Sequence, residues 1–261
     1  MDNLLIDYHG EWNEVLIVTL NRPEVMNALN TKTIEEMLQL FREQSYHDHL
    51  RCVVLTGAGE KAFCAGGDLK ERNGMSNEDW KRQHHLIEEM FLLVRDFHVP
   101  VITAVEGYAF AGGCELALLS DFIIASETAR FALTEVTRGI MPGGGGLQNL
   151  PRAIGIRRAK ELIFTGRQID AQLAYEWNLV NRVVPKGNAL ETALELALKI
   201  AESAPLSIKM AKMSMNRGTE VDFHTGYALD IAAYNVLVPT EDRLEGIVAF
   251  NEKRKPIWKN K

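Results

Sequence analysis

Short apolar segments recur through the first half of the chain, and turn residues bound each of them. They cover residues 15–20, 52–56, 101–105 and 122–125. Runs of this length and composition predict β-strands. Segments with helical periodicity separate them, and strands that alternate with helices predict right-handed crossovers and a mostly parallel sheet.

Three helices are predicted between these strands. The spacing of apolar residues after Asn30 predicts the first, which begins at Asn30 or Thr31. Ser76 can cap a second, long helix, and residues 115–119 are predicted to be a third. The first half of the chain therefore has the pattern of an α/β protein.

The pattern changes after about residue 170. Asp170 can cap a short helix, residues 179–184 have a strand pattern, and the chain is largely helical from Ala189 onward. We expect an α/β core over residues 1–200 and a helical region over residues 201–261. Helical appendages of this kind often have an apolar face that needs a partner, so we expect an oligomer.

Two glycine-marked elbows follow the second and third strand-like segments. They are residues 62–69, with the sequence AFCAGGDL, and residues 111–115, with the sequence AGGCE. Glycine permits a positive φ and close approach of a ligand to the backbone. Two such bends that face each other can direct two amide N–H groups at one oxygen, as in an oxyanion hole. The elbows therefore indicate an enzyme that stabilises an enolate-like oxygen.

Two carboxylates and a run of glycines accompany the second elbow. Taken alone, Glu115 fits a first-turn carboxylate that the helix dipole favours, and Glu135 fits an exposed loop residue. Residues 143–146 are four glycines, which fit a flexible turn or close backbone packing beside a site. We favour close packing because Glu135 lies just upstream. Two carboxylates near two elbows form a candidate acid–base pair.

Composition and charge narrow the class of protein. The chain has 261 residues, 46% hydrophobic and 25% charged, which is typical of a soluble globular protein. A net charge of −6 argues mildly against a general binder of nucleic acid or anionic membranes. Three cysteines without CxxC spacing favour a reducing compartment, and no signal peptide or membrane-length segment is visible. We expect a cytoplasmic location, or the mitochondrial matrix for a processed eukaryotic chain.

Two other kinds of site are weakly indicated. Residues 57–62 match the loose dinucleotide fingerprint GxGxxA, but residues 63–67 interrupt the helix that must follow it. Histidines at positions 47 and 49, and the pair at 84–85, lack a third metal ligand. We therefore predict neither a dinucleotide site nor a metal site.

The motifs together resemble the crotonase, or enoyl-CoA hydratase/isomerase, superfamily over nearly the whole chain. The matching segments are residues 20–23, 27–29, 62–69, 107–116, 135, 139–143, 165–166, 242–250 and 252–255. As an ensemble they are highly specific. The resemblance implies a spiral ββα core, a C-terminal helical trimerisation region, and a homotrimer or a hexamer built from two trimers.

The resemblance also implies the residues of the site. The amides of Gly67 and Gly112 would form the oxyanion hole, and Glu115 and Glu135 match the two catalytic glutamates of hydratases. Lys253 matches a basic residue that reaches the coenzyme A phosphates, in the same or a neighbouring subunit. The thioester of coenzyme A would be lined by Ala65, Gly67, Asp68, Leu69, Lys70 and Gly112. No tightly bound cofactor is implied, because coenzyme A arrives as part of the substrate.

The implied activity is that of a hydro-lyase, an enoyl-CoA hydratase. Adding water at Cβ of a 2-enoyl thioester pushes charge onto the thioester oxygen, where one amide donor is worth about 10²–10³ in rate. We interpret Glu115 as the base and Glu135 as the acid, an order that the sequence alone leaves open. The presence of both favours hydration, since relatives with other activities commonly replace one. The alternatives are a 3-enoyl-CoA isomerase and, from another class, an RNA-binding or inactive coenzyme A-binding scaffold.

A resemblance to one branch of the superfamily suggests the acyl group of the substrate. Residues 68–72, 150–155 and 218–222 look like the methylglutaconyl-CoA hydratase branch, which makes methylglutaconyl-CoA a candidate substrate beside short enoyl-CoA thioesters. A protein of that branch also binds AU-rich RNA through a lysine-rich helix. Here the corresponding residues 31–46 contain a single lysine, Lys32, so RNA binding is disfavoured.

Overall fold

The computed structural model describes all residues from 1 to 261, and its larger sheet contains the apolar segments predicted as strands. Its six strands lie in the spatial order β1 (Leu4–His9), β2 (Val15–Leu20), β3 (Cys52–Gly57), β5 (Val101–Val105), β7 (Phe122–Ser126) and β10 (Arg182–Val184). Strand β1 is antiparallel to β2, and all other neighbours are parallel. The prediction of a mostly parallel sheet is confirmed.

The last strand of this sheet is shorter than predicted. Residues 179–184 have a strand pattern, but pairing begins at Arg182. Leu179 donates its N–H to the carbonyl of Ala174, and Asn181 exchanges hydrogen bonds with Ile123 through its side chain and backbone. These bonds hold the first three residues in a turn before the ladder begins.

A second, smaller sheet was not predicted. Its strands lie in the order β4 (Ala62–Cys64), β6 (Tyr108–Phe110), β8 (Arg130–Ala132) and β9 (Ile169–Asp170), and the first three run parallel. Strands β4, β6 and β8 each follow a strand of the larger sheet after a short turn. The first elbow, residues 62–69, therefore begins with β4, and the second elbow follows β6. The sequence analysis expected both elbows to follow the longer apolar strands directly.

Eleven α-helices connect the strands, cover the larger sheet and form the C-terminal region. They are α1 (Thr31–Gln44), α2 (Leu69–Arg72), α3 (Asn77–Arg95), α4 (Gly112–Leu119), α5 (Gly146–Ile154), α6 (Ile156–Thr165), α7 (Ala171–Glu176), α8 (Ala189–Ala201), α9 (Pro205–Gly218), α10 (Phe223–Leu237) and α11 (Glu241–Glu252). The caps predicted at Ser76 and Asp170 are confirmed, because each side chain accepts a first-turn N–H. The helix predicted to begin at Asn30 or Thr31 begins at Thr31, and the side chain of Asn30 caps it. Helix α4 begins at Gly112, three residues before the predicted start.

The larger sheet is buried on both faces. The main core contains the side chains of Phe41, Phe63 and Phe131, and a second cluster lies under α8. Helix α8 presents Ala189, Ala193 and Ala197 to this face, and the small side chains let it lie close to the strands.

The C-terminal helices α9 to α11 are less completely buried than the helices of the core. Helix α9 is tied to the core by Lys212, whose Nζ donates to the carbonyl of Val99 at 3.0 Å and to Asp121 at 2.7 Å. Helices α9 and α10 pack against each other, whereas large apolar side chains of α10 and α11 remain exposed. No helix combines the length and the apolar character that crossing a membrane requires.

Candidate active site

Three functional segments lie at one edge of the smaller sheet. Strands β4, β6 and β8 are parallel neighbours, so their carboxyl ends meet at the same edge. Residues 65–68 follow β4, residues 111–112 follow β6, and residues 133–135 follow β8. Ligands of parallel sheets bind at such an edge. The fold therefore brings both elbows and Glu135 to one place.

The first elbow is fixed by strand-like bonds to Leu29. Leu29 donates its N–H to the carbonyl of Gly66 at 2.8 Å, and Asp68 donates to the carbonyl of Leu29 at 2.9 Å. Gly67, between them, faces the other way, and its N–H donates to no acceptor within the chain. Gly66 has φ +93°, and a Cβ there would lie 3.0 Å from the carbonyl of Phe110, so the position requires glycine.

The second elbow carries backbone strain next to an unpaired amide. Ala111 has φ +48° and ψ −126°, a conformation that residues with a side chain rarely adopt. Its N–H donates to the carbonyl of Ala132 at 2.8 Å, which joins the elbow to the end of β8. The N–H of Gly112, at the start of α4, has no acceptor within the chain. The strained residue Ala111 therefore directly precedes Gly112 and sets the direction of the Gly112 N–H.

The two unpaired amides are close together. A Cβ built on Gly112 would lie 3.8 Å from the nitrogen of Gly67 and 3.6 Å from the Cα of Gly66. Two N–H groups that converge at the end of a sheet, one of them opening a helix, form a site for a negatively charged oxygen. The structure thus brings Gly67 and Gly112 together as the sequence analysis expected.

Glu115 is buried in the first turn of α4 and held by the glycine run. Its side chain is 4% exposed, and Oε1 accepts the N–H of Gly144 at 2.8 Å and that of Gly146 at 2.9 Å. Burial raises the pKa of Glu115, while these two amides oppose the rise by favouring the carboxylate. A Cβ on Gly144 would lie 2.1 Å from the Phe91 ring, so close backbone packing beside the site is confirmed.

Glu135 is buried as well, which contradicts its interpretation as an exposed loop residue. It begins a 3₁₀ turn, is 7% exposed, and accepts no hydrogen bond from any other residue on either carboxylate oxygen. Burial, with a smaller contribution from the charge of Glu115, raises the pKa of Glu135 to about 7. The two carboxylates therefore differ: one is held by amides, and the other carries its proton near neutral pH.

The remaining predicted residues of the first elbow occupy varied positions. Ala65 is half-buried, and Leu69 and Lys70 are exposed. Asp68 is buried and caps α2, accepting the N–H of Lys70, while Arg22 pairs with its other oxygen at 3.0 Å. Its carboxylate thus holds the elbow in shape.

Lys253 follows the other candidate residues by more than 100 positions in the sequence. It ends α11 with φ +55°, is exposed, and its ammonium makes no ion pair within the chain. Its assignment to coenzyme A stays a prediction.

The position of Arg72 is not predictable from the sequence, where this residue is only part of the motif at 68–72. Its guanidinium lies beside Gly67. The contact depends on the turn that Asp68 caps, and spacing along the chain carries no signal for it.

The two weakly indicated sites have no structural support. Residues 58–61 connect β3 to β4, so no helix follows the dinucleotide-like glycines. No group of three or more histidine, cysteine or acidic side chains is placed to hold a metal ion. Burial raises the pKa of the Cys114 thiol beside the two glutamates, which disfavours its reactive thiolate.

Comparison with known proteins decides the family. Residues 10–261 match the model of a family described as enoyl-CoA hydratase/isomerase. The chain belongs to this family. The Bacillus subtilis protein YngF is 41% identical over 99% of this chain and 98% of its own length. The short-chain-enoyl-CoA hydratase of Clostridium acetobutylicum is 40% identical over 98% of this chain and 97% of its own.

A solved structure extends the likeness to the fold. The crystal structure of an enoyl-CoA hydratase from Bacillus anthracis matches with a TM-score of 0.96 at 45% identity, over 99% of this chain and 100% of that one. The predicted crotonase fold is therefore confirmed, with two sheets and C-terminal helices. Membership of the enoyl-CoA hydratase/isomerase family assigns chemistry on enoyl-CoA thioesters to this chain.

Proposed function

We propose that the protein adds water reversibly across the 2,3 double bond of a short or branched 2-enoyl-CoA. The observation that carries the proposal is the pair of buried carboxylates in different environments beside two unpaired amides. Glu115 is held by two N–H groups, Glu135 by none from other residues, and Gly67 and Gly112 supply the amides. Hydration needs one group of each kind.

The amides act on the thioester carbonyl. When the oxygen atom of water forms a bond to Cβ, the electron pair of the double bond moves to Cα and onto the thioester oxygen. Gly67 and Gly112 donate to this oxygen more strongly as its charge grows, which lowers the barrier. The positive end of the α4 dipole acts at the same point.

The two carboxylates divide the proton transfers. Glu115 takes a proton from the attacking water, since its amide partners favour the ionised form. Glu135 gives its proton to Cα, since its environment favours the neutral form. The product is a 3-hydroxyacyl thioester, and exchange of protons with solvent returns both groups to their starting states.

The acyl group belongs to the same proposal. The motif likeness to the methylglutaconyl-CoA hydratase branch makes 3-methylglutaconyl-CoA the candidate branched substrate, and crotonyl-CoA represents short unbranched chains. The remaining parts of coenzyme A would extend past Leu69 and Lys70, whose exposure suits contact with an incoming ligand. Lys253 would reach the phosphates from the same or a neighbouring subunit.

Loss of enoyl-thioester absorbance with crotonyl-CoA and 3-methylglutaconyl-CoA tests the function. Glu115→Gln and Glu135→Gln should each lower kcat by about 10²-fold or more, because each removes a proton transfer. Glu195→Gln, at an exposed position on α8, is the matched control and should keep the wild-type rate. Full rates in both active-site variants would contradict the two-carboxylate mechanism.

Product analysis in ¹⁸O-water separates hydration from isomerisation. Hydration incorporates one heavy oxygen atom at C3, whereas a 3-enoyl-CoA isomerase moves the double bond and incorporates none. An unlabelled, rearranged enoyl thioester as the only product would favour the isomerase alternative, which a single proton-carrying group such as Glu135 can support.

We also propose that residues 201–261 form an oligomerisation region of a homotrimer or a hexamer. The support is the exposed apolar surface of α10 and α11, which includes Phe223, Tyr234, Leu244 and Phe250. Many large exposed apolar side chains on two consecutive helices are typical of a protein interface. Further copies of the same chain are the proposed occupants.

A further inference from the structure

Asn149 binds a backbone carbonyl at the start of α5. It is half-buried in the first turn of this helix, and its Nδ2 donates to the carbonyl oxygen of Gly145 at 3.0 Å. The backbone N–H groups of Gln148 and Asn149 donate to the same oxygen at 3.0 and 2.9 Å. A carbonyl oxygen has two lone pairs, so three donors leave it little freedom to turn. Asn149 supplies the only one of these donors that belongs to a side chain.

This carbonyl shares a peptide unit with an N–H group of the candidate active site. The peptide between Gly145 and Gly146 is planar, and its C=O and N–H point in opposite directions. The N–H of Gly146 donates to Glu115 Oε1 at 2.9 Å. A donor that fixes the carbonyl of Gly145 therefore also fixes the direction of an amide that holds Glu115.

The peptide has no side chain of its own to hold it in place. Both of its residues are glycines, and Gly145 has φ +97°. Glycine adopts either sign of φ at similar cost, so rotation of this unit meets little steric resistance. A rotated peptide would turn the carbonyl oxygen of Gly145 toward the carboxylate of Glu115, which would repel it. The side chain of Asn149 opposes this rotation.

We propose that Asn149 is a positioning residue for the base of the hydration reaction. It holds the peptide between Gly145 and Gly146 so that the Gly146 N–H stays on Oε1 of Glu115, and Oε2 remains free to take a proton from water. The inference rests on the proposed function, in which Glu115 activates the water. Asn149 acts on the carboxylate through one backbone unit and donates no hydrogen bond to it.

Loss of this side-chain donor should make Glu115 harder to ionise. Burial raises the pKa of Glu115, and the hydrogen bond from Gly146 is the larger of the two amide contributions that lower it. A weaker bond raises the pKa further, so the base stays protonated up to a higher pH. The acid limb of kcat/KM should therefore move to higher pH, while the alkaline limb, which we assign to Glu135, should stay in place.

Other titratable groups around Glu115 can be told apart from it. Those that face it or the glycine run beside it are Cys64, His84, Glu88, Cys114, Glu135 and Arg152. Burial raises the pKa of both thiols, which keeps them neutral near physiological pH. His84 pairs with the exposed Glu88, and Arg152 donates to the exposed Gln148. Glu135 is coupled to Glu115 through its charge, and the change Glu135→Gln removes that coupling.

Rate profiles of crotonyl-CoA hydration between about pH 5 and pH 9 test the proposal. Asn149→Leu keeps a similar volume without the donor, and Asn149→Ala removes the donor without adding an apolar branch. We expect both to lower kcat by about 3- to 10-fold and to raise the midpoint of the acid limb by about 0.5 to 1 pH unit. KM should change by less than about twofold, because the substrate contacts are kept.

Two further variants show whether the amide group itself is responsible. Asn149→Gln keeps the amide on a longer side chain and should recover part of the lost rate and part of the shift. Gln148→Leu is the matched control, since it exchanges the neighbouring exposed amide on the same turn for leucine. It should match the wild type in rate and in pH profile.

Infrared spectra report the protonation of Glu115 without turnover. In the Glu135→Gln background, the carboxyl band that disappears on the further change Glu115→Gln belongs to Glu115, and neither cysteine nor histidine contributes to it. The midpoint of this band should rise by about 0.5 to 1 pH unit when Asn149→Leu is added.

The results separate this inference from the proposed function. An equal loss of kcat at every pH, with the acid limb and the infrared midpoint unchanged, would overturn the role of Asn149, which would then only stabilise α5. A wild type that hydrates no enoyl thioester would overturn the proposed function. The infrared midpoint would still decide whether Asn149 holds Glu115 in its ionised form.

Discussion

At the scale of single residues, the environments of two identical side chains set their chemistry. Glu115 and Glu135 are both nearly inaccessible to solvent, so burial raises the pKa of each. The amides of Gly144 and Gly146 counter this effect at Glu115. Glu135 has no such donors from its neighbours. The glycine run, which has no functional side chains of its own, is therefore what makes the two carboxylates different.

The raised pKa of Glu135 predicts the alkaline limit of hydration. With a pKa of about 7, Glu135 carries its proton below neutral pH and loses it above. If it is the acid, kcat/KM for crotonyl-CoA should fall about tenfold per pH unit above the pKa of the free enzyme. A pH series from 5.5 to about 9 measures this, and the residual activity of Glu135→Gln should lack the fall. An unchanged alkaline limb in that variant would assign the limb to another group.

The same group should make stability depend on pH. The folded-state pKa of about 7 lies above the unfolded value near 4.5, so the folded protein holds more protons between these values and loses stability as pH rises through them. Glu135→Gln removes this penalty. It should stabilise the protein by about 2 kcal/mol at pH 8 and by almost nothing at pH 4. Urea unfolding at both pH values checks the sign, and an equal effect at both would refute the burial penalty.

At the scale of elements, strands with their own apolar pattern were predictable and strands without one were not. The central strands of the larger sheet are apolar throughout, and Asn30, Ser76 and Asp170 mark helix starts through their caps. Strands β4, β6 and β8 have three residues each, too few for a periodicity, and hydrogen bonds to neighbouring strands define them. The site was found from glycines and carboxylates, whereas the contact between Arg72 and Gly67 arises only in the folded chain.

The packing of α4 on β4 predicts a large effect at one of two adjacent glycines and almost none at the other. A Cβ on Gly113 would lie 2.1 Å from the carbonyl oxygen of Cys64, in a rigid strand, whereas a Cβ on Gly112 meets its nearest atom at 3.6 Å. Gly113→Ala should lower the free energy of unfolding by about 3 kcal/mol because backbone must move. Gly112→Ala is the control and should change it by no more than about 0.5 kcal/mol. Chemical denaturation measures both, and equal stabilities would disprove the close approach.

At the scale of the whole molecule, the core buries its apolar side chains within one chain, whereas the C-terminal helices leave many of theirs exposed. The two buried apolar clusters cover both faces of the larger sheet, and their members lie within residues 4–201. Helices α10 and α11 leave large side chains in solvent, and Phe250 is 83% exposed. Exposed apolar surface on this scale is costly in a monomer and favourable in an assembly. The residues at the candidate active-site edge all come from one chain. Which active site Lys253 reaches, at the end of α11, would depend on how the subunits are arranged.

The exposed apolar surface of α10 and α11 predicts an oligomer that a single charged substitution on this surface weakens. Light scattering should give a mass three or six times the 29.3 kDa of the chain. Leu244→Asp places a charge on α11 at a side chain that is 52% exposed, and it should lower the mass at micromolar concentration because a buried carboxylate without a partner costs several kcal/mol. Leu92→Asp, at a leucine 57% exposed on α3, makes the same change outside the C-terminal helices and should leave the mass unaltered. A monomeric wild type would refute the interface. Equal losses of mass in both variants would place the interface elsewhere. The two leucines have similar exposure, so only an interface that includes α11 makes their substitutions differ.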